Sequence, residues 1–386
     1  MTERPFKFQL STNLKYGVGE SKRLGEIIKE LGYSKIAAIV DQGVINHPQV
    51  KYALKNIKVV NLDLDIYNNT AVEPDYDYLE SFKKKFIGQE YDCLVGIGGG
   101  SVIDLTKGIA VLSTNEGEAI SFRGFPKLQN RPLPIIAVPT TAGTGSEVTY
   151  NAVFTDSKQK KKLGINSTLN FPVCAVIDPS ITINCPRSVT VSSGADALVH
   201  TLESYVHKNH TLVSRIYSKK AFCLIFNGLM KVLDKPADVD IRADLALGAY
   251  FAGIALINSG SGPSGAFSYP LGAVYHVPHG YAGAIFLPSI TRINVEKNYN
   301  DYDQLYDLID GTDKSLSKKQ KNLEFVKKIH DLMEKLEIPK SLSTYGLRAK
   351  DIEFMIEQYD ILVAAIAQNP IEITKEDTRM IMRNLA

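Results

Sequence analysis

The sequence predicts an α/β fold in two parts: a doubly wound, parallel-sheet domain over residues 1–180 and an all-helical domain over residues 181–386. Three observations carry that expectation. Apolar runs without polar alternation, Ile36-Ala-Ala-Ile-Val40, Cys93-Leu-Val-Gly-Ile97 and Pro134-Ile-Ile-Ala-Val138, have the composition of strands buried on both faces. Helical segments separate them, and strand alternating with helix argues parallel strands joined by right-handed crossovers. After Ile177-Asp-Pro179 the character changes, and helical periodicity dominates from Thr190 to the end.

Along the chain, a turn at Gly19 leads into a helix with apolar positions Leu24, Ile27, Ile28 and Leu31, stopped by Gly32. The strand 36–40 follows and closes on Asp41. A helix around Tyr76 to Phe86 precedes the strand 93–97, and a helix beginning near Ser101 precedes the strand 134–138. The basic run Lys158-Gln-Lys-Lys-Lys-Lys162, coming after Thr155-Asp156-Ser157, reads as a solvated hairpin tip. Beyond Thr190 the one long interruption is the Gly-rich stretch from Asn258 to Gly280. No linker, repeat or low-complexity segment divides the chain.

Composition narrows the function classes. The 386 residues have room for two cores of ordinary size, and 44% apolar with 22% charged residues describes a globular chain. Forty-four basic against 42 acidic residues leave a net charge of +2, which carries no footprint for nucleic acid or an anionic membrane. Cys93, Cys174, Cys185 and Cys223 lack Cys-x-x-Cys spacing, so neither a zinc knuckle nor a disulfide framework is indicated, and a reducing, cytoplasmic setting is expected. The start, Met-Thr-Glu-Arg-Pro-Phe-Lys, leads into no apolar signal core. No run approaches the ~18 consecutive apolar residues of a membrane-spanning helix.

Two loops carry chemistry. Gly96-Ile-Gly-Gly-Gly-Ser101 joins a buried strand to a helix, where backbone N–H groups and the helix N-terminus can face a pyrophosphate and glycine lets the backbone approach. It is not the six-residue Gly-x-Gly-x-x-Gly fingerprint, and the competing reading is a tight turn. Pro139-Thr-Thr-Ala-Gly-Thr-Gly-Ser-Glu147 also follows a buried strand. Its three threonine hydroxyls suit phosphate, ribose or amide groups, and a run so poor in bulk favours a ligand surface over a filled core. Asp41 has two readings of equal weight: an ordinary turn residue, or an acceptor for ribose hydroxyls that repels a 2′-phosphate and so favours NAD over NADP. In the second half, Gly194-Ala-Asp-Ala-Leu-Val-His200 places Asp196 and His200 four apart. On a helix they share one face and could hold Fe²⁺ or Zn²⁺, although such a pair also occurs by chance on amphipathic helices.

The conjunction is more specific than any part. Gly-Gly-Gly-Ser at 98–101, Pro-Thr-Thr-Ala-Gly-Thr-Gly-Ser-Glu-Val-Thr at 139–149, Gly-Ala-Asp-Ala-Leu-x-His at 194–200 and Pro-Leu-Gly…Pro-His-Gly at 270–280 stand in this order. With Tyr16-Gly-Val-Gly19 and Asn369-Pro370…Thr374-x-Glu-Asp377 at the ends, the chain resembles the iron-containing (group III) alcohol dehydrogenases over essentially its full length. The resemblance implies an N-terminal dinucleotide domain, an all-helical domain, and an active site in the cleft between them that holds a divalent metal and the nicotinamide. It implies pyrophosphate binding by Gly98, Gly99 and Ser101, contacts to adenosine and nicotinamide by Thr140, Thr141 and Thr144, and the adenosine ribose at Asp41. It also implies Asn151 and Lys162 at the cofactor's border, and Asp196, His200 and His279 as ligands of iron or zinc. A homodimer is expected by the same resemblance, with a small-molecule alcohol or aldehyde as partner and no nucleic acid or membrane.

The chain departs from the family's His-x-x-x-His-Pro-Leu-Gly pattern, reading Gly265-Ala-Phe-Ser-Tyr269-Pro-Leu-Gly272. Gly265 replaces a metal ligand and Tyr269 the histidine near the nicotinamide. Two mechanisms stay open: a three-ligand metal completed by water, which is favoured, or metal-free chemistry with Tyr269 or His276 as general acid and base. His276 and Glu203 are candidate substitute ligands. Loss of the side chain at 265 is expected to leave a roomy wall lined by Ser261, Ser264 and Ser268, suited to a polyhydroxylated, sugar-acid-like alcohol. That resembles the branch containing 3-deoxy-D-manno-octulosonate 8-oxidase, which serves lipopolysaccharide sugars. A non-catalytic dinucleotide-binding protein is the alternative from a different class.

Overall fold

The computed structural model describes residues 5–386; residues 1–4, which open the polar N-terminal stretch, lie outside the described residues. Two compact units result: a sheet unit of residues 10–186 and 236–250, and a helical unit that takes residues 187–235 and 251–386 together with residues 5–9.

In the sheet unit, β1 (Asn13–Tyr16) is followed by a 3-10 turn, α1 (Leu24–Glu30) and β2 (Lys35–Asp41). α2 (Pro48–Val59) starts with proline where no N–H is needed, and β3 (Asp63–Asn69) and α3 (Tyr76–Lys83) follow. Next come β4 (Cys93–Gly98), α4 (Gly100–Leu112), β5 (Ile135–Pro139), the hairpin β6 (Asn151–Asp156) and β7 (Lys161–Asn166), and β8 (Cys174–Ile177). Six strands form one sheet in the order β1-β8-β5-β4-β2-β3, every neighbouring pair parallel, while β6 and β7 form a separate antiparallel pair.

The absence of alternation in β2 has a direct cause. Ile36, Ala38 and Val40 enter a core with Ile27, Ile28, Val50 and Ile57, whereas Ala37 and Ile39 enter a second core with Leu79, Phe82, Leu105 and Ile109. Successive side chains point to opposite faces, and both faces are covered. β3, reading Asp-Leu-Asp-Ile-Tyr-Asn-Asn, is an edge strand whose polar residues hide it from any search for apolar runs. The basic run is a hairpin tip: Asp156 Oδ1 accepts the N–H groups of Lys158 and Gln159 and turns the chain from β6 into β7. After β8, Asp178 ties the start of the unit to its end. Its carboxylate accepts from the N–H of Gly19 and from the N–H and hydroxyl of both Ser21 and Ser180.

The helical unit contains α5 (Arg187–Val206), α6 (Leu212–Val232) and the latter part of α7 (Val239–Ser259). α8 (Pro263–Tyr275), α9 (His279–Ala284), α10 (Leu287–Glu296), α11 (Asp303–Tyr306), α12 (Lys318–Lys335), α13 (Ile352–Ile366) and α14 (Lys375–Leu385) complete it. α5 packs against α6 and α9, and α8 against α9 and α13. Reciprocal capping boxes start α6 (Thr211 with Ser214), α12 (Ser317 with Gln320) and α14 (Thr374 with Asp377).

The stretch 258–280 is not the interruption its glycines suggest. α7 runs to Ser259, and α8 occupies 263–275 with Pro270 inside it. Phe267 and Leu271 are fully buried four residues apart and supply the apolar stripe, while buried Ser264, Ala266, Ser268 and Gly272 let neighbouring backbone come close. Small residues in a packed helix weaken the periodic signal without weakening the packing. Among the described residues no helix is long and apolar enough to cross a membrane.

Candidate active site

In the sheet unit the chain leaves β2 for β3 on one side of the sheet and β4 for β5 on the other, so the order reverses between β2 and β4. At the carboxyl ends of these two strands stand Asp41 and Gly98. Such a switch point is where open α/β sheets receive ligands. A Cβ on Gly98 would stand 3.1 Å from Asp41 Cβ and 2.7 Å from Val102, and one on Gly100 would meet Thr144 Cγ2 at 2.5 Å, so only glycine fits the turn as it is built. Gly99 lies next to Thr141, Thr140 donates its N–H to Gly98 O (2.9 Å), and Ser101 sits in the first turn of α4. Asp41, Gly98, Gly99, Ser101, Thr140, Thr141 and Thr144 are thus gathered around one helix N-terminus. That cradle fits a dinucleotide pyrophosphate.

A buried polar network holds it. Lys107, on the otherwise apolar α4, donates to Ser146 Oγ (2.7 Å) and to the carbonyl of Asn151 (2.7 Å). The Ser146 hydroxyl bonds Asp104, whose other oxygen accepts the Val153 N–H (2.9 Å). Burial pushes the Lys107 ammonium down to about 8 and the Glu147 carboxyl up to about 7. Asn151 is joined to the network through its carbonyl, and its side chain donates to Asn166 (2.8 Å). Lys162, on β7, is held by Glu73 at 2.6 Å. The spacing Asp104-x-x-Lys107 inside an apolar helix was the signal for this network, and sequence reasoning passed over it.

In the helical unit Asp196 and His200 lie one turn apart on α5, and His279 opens α9. The Nε2 atoms of His200 and His279 stand 3.6 and 3.7 Å from the same oxygen, Asp196 Oδ1, and one ligand atom from each residue falls within 4.8 Å of the others. Ligand atoms about 2.1 Å from a tetrahedral ion are about 3.4 Å apart, so the spacing fits one divalent cation better than direct hydrogen bonds. His200 Nδ1 is buried without a partner. Gly280 makes the approach possible: a Cβ there would lie 1.8 Å from Ser192 O on α5, so α9 can dock its first turn only with glycine at this position.

The remaining candidates fall around this cluster in different ways. The Tyr269 ring stacks on His279, with centroids 5.8 Å apart and planes at 16°. His276 is the exposed left-handed cap of α8 and is not part of the carboxylate–imidazole cluster. Glu203 is engaged elsewhere. It is 4% exposed, and its carboxylate accepts the Ser261 hydroxyl (2.8 Å) and the N–H groups of Gly262 (2.7 Å), Ser264 (2.5 Å) and Gly265 (3.2 Å), which caps the start of α8. Burial raises its carboxyl from the ordinary value, and these donors oppose the rise. The expected opening at Gly265 is filled: a Cβ there would meet Ser261 Oγ at 2.2 Å and Glu203 Oε2 at 3.0 Å, and Ser264 and Ser268 are buried rather than lining a wall.

A phosphate-type cradle in one unit and, in the other, a carboxylate–imidazole cluster spaced to suit a divalent cation are the two parts a metal-dependent dehydrogenase needs. The chain belongs to the iron-containing alcohol dehydrogenase family: the family model of that description matches residues 11–179, and the model of the C-terminal part of the Fe-containing alcohol dehydrogenase family matches residues 190–386. It is an oxidoreductase of that class. Similar curated proteins include 1,3-propanediol dehydrogenase of Citrobacter freundii, 30% identical over 92% of this chain and 93% of its own. NAD-dependent methanol dehydrogenase of Bacillus methanolicus is 28% identical over 95% of this chain and 96% of its own. Among solved structures, a 1,3-propanediol oxidoreductase superposes with a TM-score of 0.92 at 28% identity, covering 98% of this chain and 99% of its own.

Proposed function

We propose that this chain interconverts a primary alcohol and its aldehyde with NAD, using a divalent metal, iron or zinc, held by three side chains: Asp196, His200 and His279. The observation that carries the reading is the convergence of the three on one point, with both imidazole Nε2 atoms 3.6–3.7 Å from the same carboxylate oxygen. When bound, the metal supplies Lewis-acid polarisation of the alcohol or carbonyl oxygen, and the nicotinamide supplies the acceptor or donor of hydride. Asp196 brings the one negative charge of the cluster, and the two neutral imidazoles orient their lone pairs beside it. Tyr269, stacked on His279, walls off the imidazole and restricts its rotation.

The cofactor side is assigned to Gly98, Gly99 and Ser101 for the pyrophosphate and to Thr140, Thr141 and Thr144 for the groups flanking it, with Asn151 and Lys162 at the border. Asp41 beside Gly98 favours NAD over NADP, because a carboxylate accepts from ribose hydroxyls and repels a 2′-phosphate. The filled space at Gly265 removes the reason to expect a bulky sugar acid, and a short alcohol such as a propanediol is the better candidate. Relatives named for methanol and 1,3-propanediol fall in that size class, whereas another, 28% identical, is named for long-chain alcohols, so the size class rests on the filled position rather than on the relatives.

Metal analysis of protein purified without chelator, paired with turnover of short alcohols, diols and sugar-acid alcohols with NAD, tests the reading. One equivalent of iron or zinc is expected. His200→Ala should lose the metal and at least about a hundredfold in turnover. Metal-free, chelator-insensitive turnover would transfer the chemistry to Tyr269 or His276, and NAD binding without any turnover would leave a binding protein. Preference for the sugar-acid alcohols would restore the larger substrate class.

A further inference from the structure

We propose that Ser268 is a positioning residue that sets the ring tautomer of His279, and with it the nitrogen this histidine offers to a metal. The inference rests on the three-ligand reading above. Ser268 is 1% exposed on α8, and its hydroxyl donates to Gly265 O at 2.6 Å. A serine hydroxyl has one proton, so once that proton is committed the oxygen can only accept from a further neighbour. The neighbour is His279 Nδ1 at 3.3 Å. A ring nitrogen that faces an acceptor carries the hydrogen, which places the proton of neutral His279 on Nδ1 and the lone pair on Nε2. Nε2 is the atom that stands 3.7 Å from Asp196 Oδ1.

The carbonyl that directs Ser268 is itself held. Glu203 grips the N–H groups of Gly262, Ser264 and Gly265, so the peptide groups at the start of α8 have fixed directions. Position 265 has no side chain to give a metal, yet it acts on the cluster through its backbone: N–H to Glu203, C=O to Ser268, and Ser268 to His279. The need is greatest at His279, whose side chain is 32% exposed against 13% for His200 and which sits on a helix of six residues. Partners on the far ring nitrogen of a ligating histidine typically change metal affinity by about 10- to 100-fold.

Ring nitrogen-15 shifts in the metal-free protein, with His279 assigned by His279→Gln, read the tautomer directly. The wild type is expected to show a protonated Nδ1 and a bare Nε2, Ser268→Ala a mixture of tautomers, and Ser268→Thr, which keeps the hydroxyl, the wild-type pattern. Competition for Co²⁺ against a chromophoric chelator should show Ser268→Ala weaker by about tenfold or more and Ser268→Thr close to wild type. An Nε2-protonated His279 in the wild type overturns the proposal, as does a Ser268→Ala protein with unchanged ring shifts and Co²⁺ affinity. A wild type with the expected tautomer that takes up no Co²⁺ upholds the Ser268–His279 bond and overturns the metal reading, so the two failures are distinguishable.

Discussion

Position 265 is occupied by absence, and its neighbours have closed over it. Ser261 Oγ and Glu203 Oε2 lie 2.2 and 3.0 Å from where a Cβ would be, joined to each other by a 2.8 Å hydrogen bond. Gly265→His therefore cannot simply restore a ligand. It is expected to lower stability by about 1–3 kcal/mol in urea denaturation, and to gain no metal affinity, because the ring must first displace both groups. Adding Ser261→Gly should recover part of the loss, and a double-mutant cycle reads that coupling. A Gly265→His protein as stable as the wild type would show that Ser261 swings away freely and would defeat the account of a filled site. Asp196 and His200 declare themselves by an i, i+4 spacing, whereas Glu203 as cap and Ser268 as partner of His279 come from α5, α8 and α9 meeting, which no spacing encodes.

Among the elements, α4 places a charged side chain, Lys107, wholly inside the sheet unit. Lys107 and Glu147 are buried, and hydrogen bonds of Lys107 and Asp104 join α4 to the loop after β5 and to β6, with Glu147 facing the Lys107 charge. Glu147 is raised by burial from 4.5 to about 7, with the Lys107 ammonium opposing the rise. A carboxyl whose folded value is raised binds its proton more tightly in the native state. Its contribution to stability is therefore greatest below the unfolded value and is lost as pH rises from 4.5 through about 7. The wild type should lose up to roughly 3 kcal/mol across that window from this group. Glu147→Gln should flatten the loss, as followed by urea midpoints at stepped pH. An unchanged pH profile would mean that Glu147 ionises normally despite its burial beside Lys107. The same elements show where periodicity misleads: α8 was hidden by its glycines and serines, and β3 by the carboxylates and amides of an edge strand.

For the whole molecule the separation into two units predicts two patterns of protection. In hydrogen exchange, added Zn²⁺ or Fe²⁺ should slow α5 and the first turn of α9 most, where Asp196, His200 and His279 stand. NAD should slow the β4–α4 turn and residues 139–144 most, and ligand at about a hundred times its Kd adds about 2.7 kcal/mol of stability. Metal protection centred on the β4–α4 turn would refute the assignment of the cluster, and NAD protection that spares this turn would refute the cradle.

The order of the motifs, the three buried strands, the Gly-rich turn and the Asp196–His200 pair are properties of the sequence by itself, because short-range spacing and hydrophobic runs express local periodicity directly. From them came the α/β class and the family. Tertiary structure decided the rest: that the strand order reverses between Asp41 and Gly98, that Gly280 lets α9 meet α5 and deliver His279, and that the gap at Gly265 is filled. The reason is physical. Each of these depends on how closely two backbones distant in sequence approach, and close approach is set by packing over many residues rather than by any one stretch of chain.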